Sequence, residues 1–202
     1  MGNPNSRAAP AKAVSKAPQT GKKPQLIHVY ARLPPQDVFV RSIRAQKLIP
    51  HSKVAQEQLQ NAPGELAIDR IEIIGVTPQG LRRVIDALDW SADELRIKIH
   101  GVALLEAIAV YRAIIALAIQ PLKDPVKRYM KYHISNFKLS PEDIAALEGL
   151  GMADLRSLAA TRIANMFCCG YFTVEEVAAL QLECLKHPVL DKTIDTKVKN
   201  IN

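Results

Sequence analysis

Cysteine is scarce in this 202-residue chain: Cys168, Cys169 and Cys184 are all it holds, and two of them are neighbours. So few thiols exclude the disulfide framework of a small secreted protein and fit a reducing compartment. Glycine-rich phosphate loops are missing as well, with no G-x-x-x-x-G-K-[ST] and no G-x-G-x-x-G. Neither G-x-S-x-G nor C-x-x-C occurs. His28, His51, His100, His133 and His187 lie far apart and form no H-E-x-x-H unit. Cys168, Cys169, Cys184 and His187 do make a CC-x14-C-x2-H series. Adjacent residues on a helix diverge by about 100°, however, so buried apolar thiols are expected rather than a zinc site. No catalytic residue, metal or cofactor is expected, and the chain is expected not to be an enzyme.

An uncharged apolar run long enough to span a bilayer is also absent. The most apolar stretch, GVALLEAIAVYRAIIALAIQPL (residues 101–122), contains Glu106 and Arg112. A charge at mid-span costs about 2.5–3.5 kcal/mol, so a buried core helix is the better expectation. The N-terminus carries no apolar signal core. An intracellular location, cytoplasmic or virion-associated, follows as the expectation.

Acids are nearly missing from the first quarter. Residues 1–56 hold ten Lys or Arg against the single acid Asp37, whereas the remainder holds 17 against 19. The whole excess of the net charge of +7 is therefore N-terminal. Such asymmetry favours a polyanionic partner, either nucleic acid or an anionic membrane. Residues 1–25 are built from Pro, Ala, Ser, Gly and Lys with almost no large apolar side chain, and are expected to be a disordered basic arm.

Hydrophobic residues make up 48% of the chain, enough for a buried core. LIHVYARL (residues 26–33) alternates with a period of two and predicts a strand, ended by Pro34 and Pro35. Short helices are predicted from Pro35 to about Lys47 and from an N-cap at Ser52 to about Gln60. Residues 68–74 read as a strand, and Thr77-Pro78 opens a helix with Leu81, Val84, Ile85 and Leu88 on one face. Residues 95–100 alternate like a strand, but Ser91 and Glu94 form a capping box, and a helix is favoured there. Helices are predicted over residues 102–119, from Asp124-Pro125 through the basic run, from Ser140, over residues 152–167, and from Thr173 to His187-Pro188. Residues 192–202 read as a polar tail. The expected fold is mainly α, a helical bundle with one to three short strands in the N-terminal half. Its expected segments are an arm (1–25), a small strand and helix unit (26–63), a helical core (64–190) and a tail (191–202).

One stretch concentrates cations and aromatics: KDPVKRYMKYHISNFK, residues 123–138. On a helix Val126, Met130, Ile134 and Phe137 share the core stripe, leaving Lys127, Arg128, Lys131 and Tyr132 elsewhere. Lys127 and Lys131, four apart, repel unless an anion lies between them. Phosphates neutralise cations, and exposed rings would stack bases at about 1–3 kcal/mol each; Tyr129, Tyr132 and Phe137 suggest single-strand stacking, unless Phe137 is given over to the core. The bland alternative is a solvated helix face. His28, Tyr30 and Arg32, followed by two short helices, match the outline of a ribbon-helix-helix module whose paired strands enter the major groove. Gly149-Leu150-Gly151 is either a phosphate-holding hairpin turn or a plain interhelical one.

The expected function is a nucleic-acid-binding structural protein of nucleocapsid or coat type, which self-associates into a homo-oligomer and packages nucleic acid, RNA before DNA. Lys12, Lys16, Lys22, Lys23, Arg32, Arg41, Arg44, Lys127, Arg128, Lys131 and Tyr132 are the residues expected to meet it. Two alternatives are a scaffold subunit of a large assembly and a peripheral-membrane or matrix-like protein. The latter would use Gly2, because Met1-Gly2 with Ser6 matches the N-myristoylation pattern and a polybasic segment follows.

Overall fold

The computed structural model describes residues 26–60, 70–90 and 95–201; the expected basic arm lies outside them. Three strands form one sheet: β1 (Leu26–Leu33), β2 (Gln36–Arg44) and β3 (Arg70–Ile74), in the order β2-β1-β3. β1 pairs antiparallel with β2 and parallel with β3. The alternation in β1 does what a period of two requires, burying Ile27, Val29 and Ala31 while His28 and Tyr30 face outward. Ile71 and Ile73 of β3 join the same buried face.

The helix expected from Pro35 is instead β2. Pro34 and Pro35 form a two-residue connection, and Leu33 pairs directly with Gln36. Val38, Phe39, Val40 and Ile43 favour extended backbone, and pairing with β1 satisfies the N–H and C=O groups that a helix would satisfy internally. Only Ala45–Leu48 (α1) is helical before the next break. Ser52 then caps α2 (Lys53–Gln60) as expected, accepting the Ala55 N–H at 3.1 Å. Its hydroxyl also donates to the Leu117 carbonyl at 2.7 Å, so this fully buried cap ties the N-terminal unit to the helical body.

Thr77 accepts the Gly80 N–H and opens α3 (Pro78–Trp90), whose Leu81, Val84, Ile85 and Leu88 are buried as the spacing predicts. Residues 95–100 are neither helix nor strand. Ile99 is buried and Leu95 and Ile97 pack against the core, so the alternation reflects burial without a strand partner. The apolar run becomes α4 (Leu104–Ala116), packed between α3 and the following helix. At Gly80, an added Cβ would come within 2.5 Å of the Ala109 carbonyl oxygen, so glycine permits the close approach of α3 to α4.

The helix predicted over residues 102–119 ends at Ala116, and Pro121 lies at the start of the next. The basic helix α5 runs from Gln120 to Asn136, with Pro121 in its first turn, where no N–H is needed, and Pro125 inside it. Asp124 is therefore not its cap. α6 (Pro141–Glu148) starts at the Ser140 capping box, α7 (Ala153–Cys168) follows the Gly149–Gly151 turn, and α8 (Val174–Cys184) starts at the Thr173 capping box. The segment read as a polar tail is helical: α9 (Pro188–Ile201) buries Leu190 and Ile194 against α7. Leu190, Ile194 and Val198 recur every fourth residue, a sparse stripe easily masked by the lysines around it. One core runs from Ile27 in the sheet to Ile194 in the last helix. No described helix is long and apolar enough to cross a membrane.

Candidate functional site

α5 buries Val126, Met130 and Ile134, which turns Lys127, Arg128, Lys131 and Tyr132 away from the core. The anion required between Lys127 and Lys131 is present, and the chain itself supplies it. Asp154, in the first turn of α7, places Oδ2 at 2.9 Å from the Lys131 Nζ and 3.0 Å from the Lys127 Nζ. Hydrogen bonds from Lys131 and then Lys127 hold its carboxyl well below the ordinary value, at about 2. In return the Lys127 ammonium is held above its usual range by Asp154. Two of the cations expected to contact phosphate thus already share one carboxylate of their own chain.

Further along α5 the surface is less occupied. Arg128 is exposed and makes no ion pair among the described residues. Tyr132, one turn on, is 58% exposed, and its ring meets Phe137 edge-on at 6.2 Å. Phe137 was expected on the core stripe but is 47% exposed, because α5 ends at Asn136 and its ring rides over His133 at 4.5 Å. Arg162 reaches in from α7 and donates to the Phe137 carbonyl at 3.2 Å. Tyr129 is no stacking platform: its hydroxyl donates inward to the Val102 carbonyl at 2.7 Å.

The cations of the sheet are mostly engaged. Arg41 bonds Asp86 and, at 3.0 Å, Asp89 on α3, while Arg32 approaches Glu72 at 3.4 Å. Arg70 bonds Asp37 and Glu72 and lies over the Tyr30 ring at 4.2 Å. Arg44 is exposed and unpaired among the described residues. The ribbon-helix-helix outline fails on topology, since β1 lies between two partners of its own chain and has no free edge to present to a second copy. Lys12, Lys16, Lys22, Lys23 and Gly2 lie outside the described residues.

Among the described residues no three His, Cys, Asp or Glu side chains gather as a metal site. Cys168 and Cys169 are exposed, Cys184 is buried, and His187 bonds Glu183 at 3.1 Å. Glu106 pairs with Arg83 and Gln79 of α3, while Arg112 of its own helix donates to the Ala146 carbonyl. A hollow of about 220 Å³ lies beside Lys138, Leu139, Phe172 and Leu180. It is smaller than the roughly 300–1,000 Å³ of common ligand pockets.

Sequence reasoning missed the outer face of α8. Leu180 and Cys184 hold the helix to the body, while Val174, Leu182 and Leu185 stand out at 82%, 66% and 68% exposure. With Ala178 they repeat at intervals of four, four and three, a second helical stripe opposite the buried one. That spacing was legible; which stripe would face inward was not. No protein-family model matches the chain, and no curated protein matches it closely enough to indicate a family.

Proposed function

We propose that the protein is a self-assembling structural subunit whose folded body binds other protein chains. One contrast carries this reading. Arg32, Arg41, Lys127 and Lys131, four of the six body cations expected to meet phosphate, are paired with acids of the same chain. The outer face of α8 instead carries apolar side chains in solvent, with Val174, Leu182 and Leu185 each about two thirds exposed or more. Exposed apolar residues collected on one face favour a protein interface over a solvated surface. Sedimentation velocity with light scattering over a wide concentration range tests it. Particle mass should rise with concentration, and a monomer throughout would overturn the proposal.

A second reading, in which the assembly coats single-stranded RNA, is supported by Arg128, Tyr132 and Phe137. A free guanidinium one turn from an exposed ring pair supplies a phosphate contact and a stacking platform together. Residues 1–23 add five cations, Arg7, Lys12, Lys16, Lys22 and Lys23. Their deletion should flatten the slope of log K against log salt by about 3.5 for single-stranded RNA if each contacts a phosphate. An unchanged slope would remove that segment from the interface. Binding to anionic vesicles in place of RNA would favour the acylated, membrane-associated alternative at Gly2.

A further inference from the structure

We infer that the outer face of α8 is the contact between copies of this chain, with a second copy docking its own α8 antiparallel about a twofold axis. This rests on the self-assembly reading and names its surface. The partner follows from the order of side chains along the helix. Read from its start, the exposed stripe runs Val174, Ala178, Leu182, Leu185. Reversed and laid upon itself, it sets Leu182 opposite Ala178 of the second copy and Val174 opposite Leu185. A large side chain therefore meets a small one at the centre, and apolar meets apolar at both ends. The centre needs this match, because helices separated by about 8–10 Å leave room for a large knob only opposite a small residue.

Charge selects the same arrangement. The first turn of α8 carries Glu175, which makes no ion pair among the described residues, and Glu176, which bonds Lys138. Just past the last turn stands Lys186, 67% exposed at its side chain and joined to Glu183 at 2.6 Å. The helix thus presents carboxylates to solvent at its start, and past its end the exposed Lys186 ammonium, whose partner Glu183 is only 12% exposed at its side chain. A parallel neighbour would place like charges together, whereas an antiparallel one places Glu175 beside Lys186 of the second copy, twice per dimer. Antiparallel packing also sets the positive helix N-terminus against the negative C-terminus. A surface that is its own complement after a half-turn is what a twofold contact between identical chains requires. A different protein would need to match both the size order and the charge order.

The contact involves one helix and the two residues after it, smaller than the roughly 800 Å² per partner of a standard interface, so a reversible dimer is expected. The test is light scattering and sedimentation of the full chain from micromolar to near-millimolar concentration. The natural chain should approach twice the monomer mass. L182E/L185E replaces two exposed residues, so its helical signal and melting temperature should match the natural chain while its association weakens by tenfold or more. E175K and K186E should each weaken association, and E175K/K186E should restore it, because the cross-pairs are re-formed with their signs exchanged. Association that L182E/L185E leaves intact would overturn the α8 contact but leave self-assembly standing. A monomer at every concentration would overturn both. Single charge reversals that weaken association without rescue in the double variant would overturn the antiparallel arrangement.

Discussion

The outer faces of α5 and α8 make opposite impressions in sequence and in three dimensions. α5 carries a run of cations that reads as an open invitation to phosphate, yet α7 lays Asp154 across Lys127 and Lys131. α8 reads as an ordinary amphipathic helix, yet it leaves leucine and valine in solvent. The difference lies in how each kind of group finds a partner. A charge four residues from a like charge is relieved by any acid the fold brings near, at little cost because both groups stay partly hydrated. An apolar stripe is relieved only by a matching surface, and a helix with two stripes can turn just one of them to its own core.

The sharpest break in this comparison uses two leucines of α8 that lie two positions apart. Leu180→Ala should lower unfolding stability by about 2–5 kcal/mol, as expected when a buried leucine is truncated. Leu182→Ala should change it by no more than about 0.5 kcal/mol in dilute solution. Urea titrations of both variants measure this, and equal losses would mean that the outer stripe is packed after all.

On α5, Tyr132→Ala should leave stability nearly unchanged but weaken single-stranded RNA binding by about 1–3 kcal/mol if the ring stacks a base. Fluorescence anisotropy at fixed salt would detect it, and unaltered affinity would remove Tyr132 from any interface.

Asp154→Asn gives a smaller effect with a definite pH signature. The folded-state pKa of about 2 lies below the unfolded 3.8, so the stabilisation is present above about pH 4 and is lost as pH falls through about 2. Because Asp154 is 42% exposed at its side chain, solvent screening limits this to about 1 kcal/mol or less. Melting temperatures of the natural chain and the variant should therefore differ at pH 6 and converge towards pH 2. The same substitution frees Lys127 and Lys131. If α5 binds single-stranded phosphates, the salt slope should steepen by about 1.4.

The smallest perturbation leaves the chain unmutated. Burial pushes the Cys184 thiol up to about 11, whereas Cys168 and Cys169 are exposed. At pH 8 a maleimide should modify two thiols quickly, and the third only when α8 leaves the body. Three equally fast thiols would show that α8 is not held by its inner face.

Much of the fold was legible because local rules and tertiary packing agree over most of the chain. The capping boxes at Ser140 and Thr173, the N-cap at Ser52 and the alternation of Ile27, Val29 and Ala31 each specify an element from neighbouring residues alone. Where a strand competed with a helix, local signals failed. Proline at position 35 suited a first helical turn equally well, and only β1 lying alongside made residues 36–44 a strand. α9 was hidden for a related reason, since Leu190, Ile194 and Val198 are too few to announce a helix without the surface of α7 that receives them.

The candidate surfaces divide in the same way. Sequence by itself determined a mainly helical body, the concentration of positive charge in residues 1–56, and the lack of any local catalytic motif, because each of these is a property of composition or of residues a few positions apart. Only the tertiary structure decided that Asp154 bridges Lys127 and Lys131, that Tyr129 turns inward while Tyr132 and Phe137 remain exposed, and that α8 keeps one apolar stripe uncovered. Those outcomes depend on which distant segment folds against which face, and no spacing within a single helix carries that information.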